Sequence, residues 1–123
     1  MNTVFVYGLL KPGFRLHHIV APFVDRMAAA SARGRLYVAG SSESGGLPAA
    51  RFDEDGVVDG FVLWLDEARL NDALATLDDL EDEGSEYRRL VVEVHTADGP
   101  LDAYAYEYLE ALDGRRPAGS SWR

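Results

Sequence analysis

Val57-Val58-Asp59-Gly60-Phe61-Val62-Leu63-Trp64-Leu65 is rich in β-branched, aromatic and aliphatic residues, and from Phe61 onward it is apolar at every position. A strand with one wet face alternates apolar and polar residues, whereas an uninterrupted apolar run must be covered on both faces. A strand is therefore predicted over Val57 to Leu65, with one face on a core and the other under a helix. The helix follows at once. Asp66 suits an N-cap and Glu67 the positive first turn. Leu70, Ala73, Leu74 and Leu77 then recur at i, i+3, i+4 and i+7. Gly84 is the expected stop.

Toward the N-terminus, Asp53-Glu54-Asp55-Gly56 reads as a turn, and Leu47 to Phe52 as a short strand that Pro48 confines to a sheet edge. Gly40 to Gly46, with Ser41, Ser42 and Ser44, reads as a surface loop too short to separate two domains. Gly34 to Val38 is predicted as a strand, with a start as early as Ala28. Leu16, Ile19, Val20 and Phe23 predict a short helix from Phe14 to Phe23, its last turn weakened by Pro22. Val4-Phe5-Val6-Tyr7 reads as a first strand ending at Gly8, and Leu9 to Gly13, with Lys11-Pro12-Gly13, as a turn. Toward the C-terminus, Leu90, Val92 and Val94 alternate with Arg89, Glu93 and His95 in a strand from Arg89 to Thr96. After the turn Ala97-Asp98-Gly99-Pro100, Leu101 to Leu109 is its antiparallel partner, with Tyr104, Tyr106 and Tyr108 on one face. Gly114 to Arg123 is a polar tail with one apolar anchor, Trp122. Five or six short strands, two inserted helices and no regular βαβ alternation describe an α+β domain with a mixed, curled sheet. Residues 1–123 read as a single domain.

Composition narrows the function. The chain has 12 basic and 21 acidic residues, a net charge of −9, which argues against unaided binding to nucleic acid. The same charge favours a monomer. The absence of cysteine excludes disulfides, thiolate metal sites and cysteine nucleophiles, and fits a cytoplasmic location. No apolar run approaches ~18 residues, so no membrane span is expected. Met1-Asn2-Thr3-Val4 lacks the positive and apolar regions of a signal peptide. His17 and His18 are adjacent and cannot both face one metal from a helix, so no metal site is expected. The serines lack a nucleophile-elbow context.

Three segments carry chemistry. A strand running into Gly8 and a turn exposes successive backbone N–H groups, which can cradle a carboxylate or an oxyanion. The simpler reading is a strand and turn in which Gly8 relieves strain. In Leu77-Asp78-Asp79-Leu80-Glu81, Glu81 lies four residues after Leu77 and extends the apolar stripe where another leucine is expected. A carboxyl on a buried face, near other acids, has its pKa raised toward neutrality, as a general acid/base requires. The alternative is a helix that ends near Leu80 and an exposed Glu81. Asp78, Asp79, Asp82 and Glu83 fall off the stripe and read as solvated. Finally, Glu86-Tyr87-Arg88-Arg89 opens a strand. Tyr87 is a candidate to hydrogen-bond a substrate or the carboxylate. The two arginines read as surface charges, with pairing to the acidic run as the alternative.

These features, in this order, resemble the gamma-glutamylcyclotransferase-like family. The opening signature stands here as Tyr7-Gly8-Leu9-Leu10-Lys11-Pro12-Gly13, and the second as Leu77-Asp78-Asp79-Leu80-Glu81 followed by Tyr87-Arg88-Arg89. Ala103-Tyr104-Ala105-Tyr106 and the tail Gly119-Ser120-Ser121-Trp122 are similar to small bacterial members. The resemblance implies a small β-barrel with flanking short helices and a cleft at the end of the first strand. It implies cyclisation of a small γ-glutamyl amine or peptide to 5-oxoproline, with release of the amine and no metal or organic cofactor. Glu81 would be the acid/base. The Gly8, Leu9 and Leu10 amides would hold the substrate carboxylate or oxyanion, Tyr7 would line the cleft, and Tyr87 would orient Glu81 or the substrate. Glu86 is the alternative carboxylate. Leu9 stands where the family has Ser or Thr; it keeps the backbone N–H but loses a hydroxyl. That departure carries the alternative of a γ-glutamyl-binding or partner-binding module without turnover.

Overall fold

The computed structural model describes residues 1–39, 46–110 and 116–122. The doubly apolar stretch forms β5 (Val57–Leu65) over the whole predicted range. It lies antiparallel between β1 (Thr3–Val6) and β2 (Val24–Arg33), with Val62 opposite Phe5 on one side and Ala28 on the other. β6 (Tyr87–Thr96) and β7 (Gly99–Tyr108) pair along their whole length. The order β1-β5-β2-β6-β7 closes into a barrel, the α+β architecture expected.

Two short seams close it. β2 meets β6 at Ser31–His95 and Ala32–Val94, and β7 meets β1 in parallel at Val4–Tyr104. Hydroxyls lengthen the second seam: Thr3 donates to the Asp102 carbonyl and Tyr7 to the Tyr106 carbonyl, each at 2.6 Å.

The two faces of β5 are buried as its sequence demands. Leu63 and Leu65 join Val4, Val6 and the helix residues Ala73, Leu74 and Leu77 in one core. The helix is α2 (Leu70–Leu80), entered through a single 3₁₀ turn whose N-cap Asp66 accepts the Ala68 amide at 3.0 Å. Val58 and Val62 join Phe5, Val94, Ala103 and Ala105 in the second core, on the barrel's inner side.

The structure corrects several boundaries. The helix expected over Phe14–Phe23 is only α1 (His17–Val20) plus a 3₁₀ turn at Ala21–Phe23 that accommodates Pro22 in its first positions. The next segment is not one strand from Ala28 to Val38. It is two, β2 and β3 (Arg35–Ala39), broken at Gly34. β3 leaves the barrel for a second sheet, in which it lies between the edge strand β4 (Leu47–Arg51) and β8 (Arg116–Pro117), a strand not anticipated in the tail. Residues 40–45 of the predicted Gly40–Gly46 loop lie outside the described residues, as do 111–115 and 123. Trp122 does anchor the tail: it is buried in the second core.

At Gly60, β5 passes so close to β1 that a Cβ would lie 2.2 Å from the Val6 carbonyl oxygen and 3.1 Å from the Phe5 ring. Backbone cannot yield there as a flexible side chain can. Gly60→Ala is expected to destabilise the protein by about 2–3 kcal/mol, read as a lower urea midpoint at unchanged m-value.

Candidate active site

The end of α2 decides where Glu81 points. Its amide still donates to the Leu77 carbonyl at 2.9 Å, so helical geometry persists one residue past Leu80. The helix thus stops where the alternative reading placed its end, yet Glu81 remains on the Leu74–Leu77 stripe and is half-buried. The stop is not Gly84. Asp82 takes the left-handed conformation, φ 49°, its amide donating to Asp79 and that of Glu83 to Asp78. This pairing is a Schellman motif built on an aspartate. The chain then folds back through tight hydrogen bonds, Ser85 and Glu86 to the Asp82 carbonyl and Gly84 to that of Tyr87. Glu86 and Tyr87 return beside Glu81.

Asp78 is not the solvated acid its position suggested. It accepts the Tyr106 hydroxyl at 2.6 Å and both its oxygens face the Arg89 guanidinium, at 3.2 and 3.0 Å. Arg89 is therefore a strut between helix end and barrel. Arg88 instead pairs with the buried Glu107 at 3.0 Å.

A cavity of about 180 Å³ opens where this turn faces the end of β1. Tyr7, Gly8, Leu9, Leu10, Glu81 and Tyr87, all singled out from the sequence, line it, and Glu86 does too. Sequence reasoning missed Arg15 and Pro48. Pro48 carried no signal beyond its place on an edge strand. Its ring sits where a Gly8 Cβ would be, 2.4 Å from Cγ, so Gly8 is required by close packing and not by an unusual φ. Its carbonyl accepts the Tyr87 hydroxyl at 2.6 Å, so Tyr87 is tied to β4 and not to Glu81.

Among the described residues, no acceptor takes the amide hydrogens of Gly8, Leu9 or Leu10. The turn itself is fixed by Lys11 donating its amide to Gly8 and Leu16 donating to Leu9. The Lys11 side chain is buried, its ammonium donating to the Trp122 carbonyl at 2.7 Å and lying over the Phe14 ring. Burial lowers its pKa.

The Glu81 carboxyl is pushed up to about 7, first by burial and then by the charge of Glu86. Burial, together with neighbouring acidic groups, raises Tyr7, Tyr87 and Tyr106, so all three remain phenols at neutral pH. Among the described residues, no group of three His, Asp or Glu side chains is placed to hold a metal ion, and no helix is long and apolar enough to cross a membrane.

The fold and the motifs have known counterparts. The gamma-glutamyl cyclotransferase, AIG2-like family model matches residues 4–123, and the chain belongs to that family. An AIG2-like protein from Mus musculus superposes with a TM-score of 0.81 at 23% identity, over 100% of this chain and 88% of the mouse chain. YkqA from Bacillus subtilis gives 0.71 at 26% identity, over 98% of this chain and 39% of YkqA. A gamma-glutamyl cyclotransferase gives 0.68 at 19% identity, over 94% of this chain and 68% of that one. These likenesses show a shared fold. No curated protein sequence matches the chain.

Burial of Glu81 has a consequence for stability. An acid whose pKa rises on folding binds its proton more tightly in the folded state, so stability falls as pH rises from the ordinary carboxyl value through the raised one. With 4.5 and about 7 as the two limits, wild type should lose up to about 3 kcal/mol relative to Glu81→Gln between about pH 4.5 and pH 8. Paired urea titrations across that range would measure it. A pH-independent difference between the two proteins would mean a solvated carboxylate.

Proposed function

We propose that this member of the family cyclises a small γ-glutamyl amine or peptide to 5-oxoproline, with Glu81 as general acid/base. The observation that carries the reading is a carboxyl pushed up to about 7 lining the same cavity as Gly8, Leu9 and Leu10, whose main-chain amides have no acceptor among the described residues. A cavity of about 180 Å³ suits a glutamyl group better than a larger ligand.

The nucleophile is tethered to the electrophile in such a substrate, so the main tasks are folding it and moving protons. Ionised Glu81 takes a proton from the α-ammonium. The freed amine attacks the γ-carbonyl carbon, and the developing oxyanion is held by the Gly8–Leu10 amides. As the bond to the leaving nitrogen breaks, Glu81 returns its proton there. The ring nitrogen sheds a second proton, which completes the leaving ammonium, and the lactam keeps one N–H. A group with a pKa near the working pH serves both directions of transfer. Tyr7 and Tyr87, their hydroxyls held by the Tyr106 and Pro48 carbonyls, support the walls and take no proton. Leu9 contributes its amide in place of the Ser or Thr hydroxyl of the family pattern.

The test is 5-oxoproline release from a panel of γ-glutamyl compounds, followed by mass spectrometry. Glu81→Gln should lower kcat/KM by roughly 10²–10⁴-fold while the protein stays folded. For wild type, kcat/KM should climb with pH through an inflection near 7, because the base form is the ionised one. Full activity in Glu81→Gln removes Glu81 from the reaction. Calorimetric binding of γ-glutamyl compounds without product would favour the binding-module reading that Leu9 raises.

A further inference from the structure

The cavity has a basic side chain in its wall that the mechanism above does not use. Arg15 lines it from the solvent side, exposed, whereas Tyr7, Gly8, Leu10, Tyr87 and Tyr106 are buried around its floor. Among the described basic side chains Arg15 alone has no partner. Arg26, Arg33, Arg88 and Arg89 each hold a carboxylate. The others donate to a carbonyl or lie over an aromatic ring. In a chain with a net charge of −9, carboxylates to neutralise an arginine are plentiful. A guanidinium left free at the mouth of a cavity is therefore available to a ligand. Its fork of donors matches a carboxylate in two parallel hydrogen bonds, which an ammonium cannot supply.

We infer that Arg15 is a specificity-determining residue that receives a carboxylate on the leaving amine of the substrate. The inference rests on the cyclisation reading for the orientation it assumes. A glutamyl group fills the floor, with its reacting carbonyl toward Glu81 and the Gly8–Leu10 amides, so the leaving group projects through the mouth past Arg15. The preferred class is then a γ-glutamyl compound whose leaving amine is an amino acid or carries another acid, in preference to one releasing a neutral amine.

The probe is a matched pair, γ-glutamylglycine and γ-glutamylglycinamide, which differ in the one charge. Wild type should favour the acid by about 10-fold in KM at similar kcat, and raised salt should shrink the preference. Arg15→Gln should abolish the preference by raising KM for the acid, and Arg15→Lys should restore part of it. An equal rise for both compounds in Arg15→Gln would overturn the inference, since a residue that only shapes the cavity treats them alike. So would a wild type that does not discriminate between them. Calorimetric dissociation constants for the same pair, taken on wild type and Arg15→Gln, separate this from the reaction itself. Selective binding without turnover keeps Arg15 and removes cyclisation. Turnover without discrimination keeps cyclisation and removes Arg15. Neither binding nor turnover overturns both.

Discussion

A carboxyl group on an apolar helix stripe is the constraint around which this cavity is organised. α2 lays Leu74 and Leu77 on β1 and β5, and one more turn of the same stripe brings Glu81 against the end of β1. Water is partly excluded there, and a charged carboxylate in such a place costs free energy unless something compensates it. The charge that acts on Glu81 is that of another acid, Glu86, which increases the cost. A leucine at this position would continue the stripe and stabilise the helix on the barrel. The fold thus keeps a local instability that better packing would remove, a pattern common where a group must hold a neutral-range pKa.

Such a group is useful only if it cannot swing into solvent. The end of α2 is held in place by the Asp78–Arg89 pair, the Tyr106 hydroxyl on Asp78, the Glu81 amide on Leu77 and the capping bonds from Asp82 and Glu83. Opposite it, Lys11 fastens the Gly8–Leu10 turn to the carbonyl of Trp122, whose ring is buried in the second core. Pro48 joins the two walls, its ring against Gly8 and its carbonyl on Tyr87. The hydroxyls of Tyr7, Tyr87 and Tyr106 are each donated to the protein. Among the described residues that line the cavity, the side chains of Glu81, Glu86 and Arg15 hold no hydrogen bond to the protein, and the Gly8, Leu9 and Leu10 amides find no protein acceptor.

Periodicity was a reliable guide where burial was continuous and a poor one where the barrel's bore set the residue choice. β5 declared both its covered faces because Phe61–Leu65 has no polar residue at all. β2 declared itself only in part, as an early start at Ala28 of the following strand, because Met27-Ala28-Ala29-Ala30-Ser31-Ala32 is poor in β-branched and aromatic residues. A narrow five-stranded lumen already holding Phe5 and Val62 leaves room there for alanine, so Ala30 and Ala32 serve as inner-face strand residues against their intrinsic preference. The expected helix over Phe14–Phe23 was shortened for a similar reason. The Leu16 amide is drawn to the Leu9 carbonyl, which fastens the first turn instead of extending a helix. The solvated reading of Asp78 failed because its partners, Arg89 and Tyr106, come from β6 and β7. Glu81, by contrast, was legible because the stripe that buries it is local.

The choice between Glu81 and Glu86 turns on how each is held. Both line the cavity, and both sequence contexts fit a catalytic carboxylate. Glu81 ends a packed helix, with its backbone set by Leu77 and its side chain on the buried stripe. Glu86 follows a turn of exposed residues and is placed by Leu109, whose amide donates to its carbonyl. The field of Glu86 adds to burial in lifting Glu81, so removing it would leave a more acidic Glu81 and a weaker base. The two glutamates therefore need not compete for one role. Under the proposed cyclisation, an acid/base at the end of the stripe, tuned by a neighbour that takes no proton from the substrate, would account for both carboxyls in one cavity.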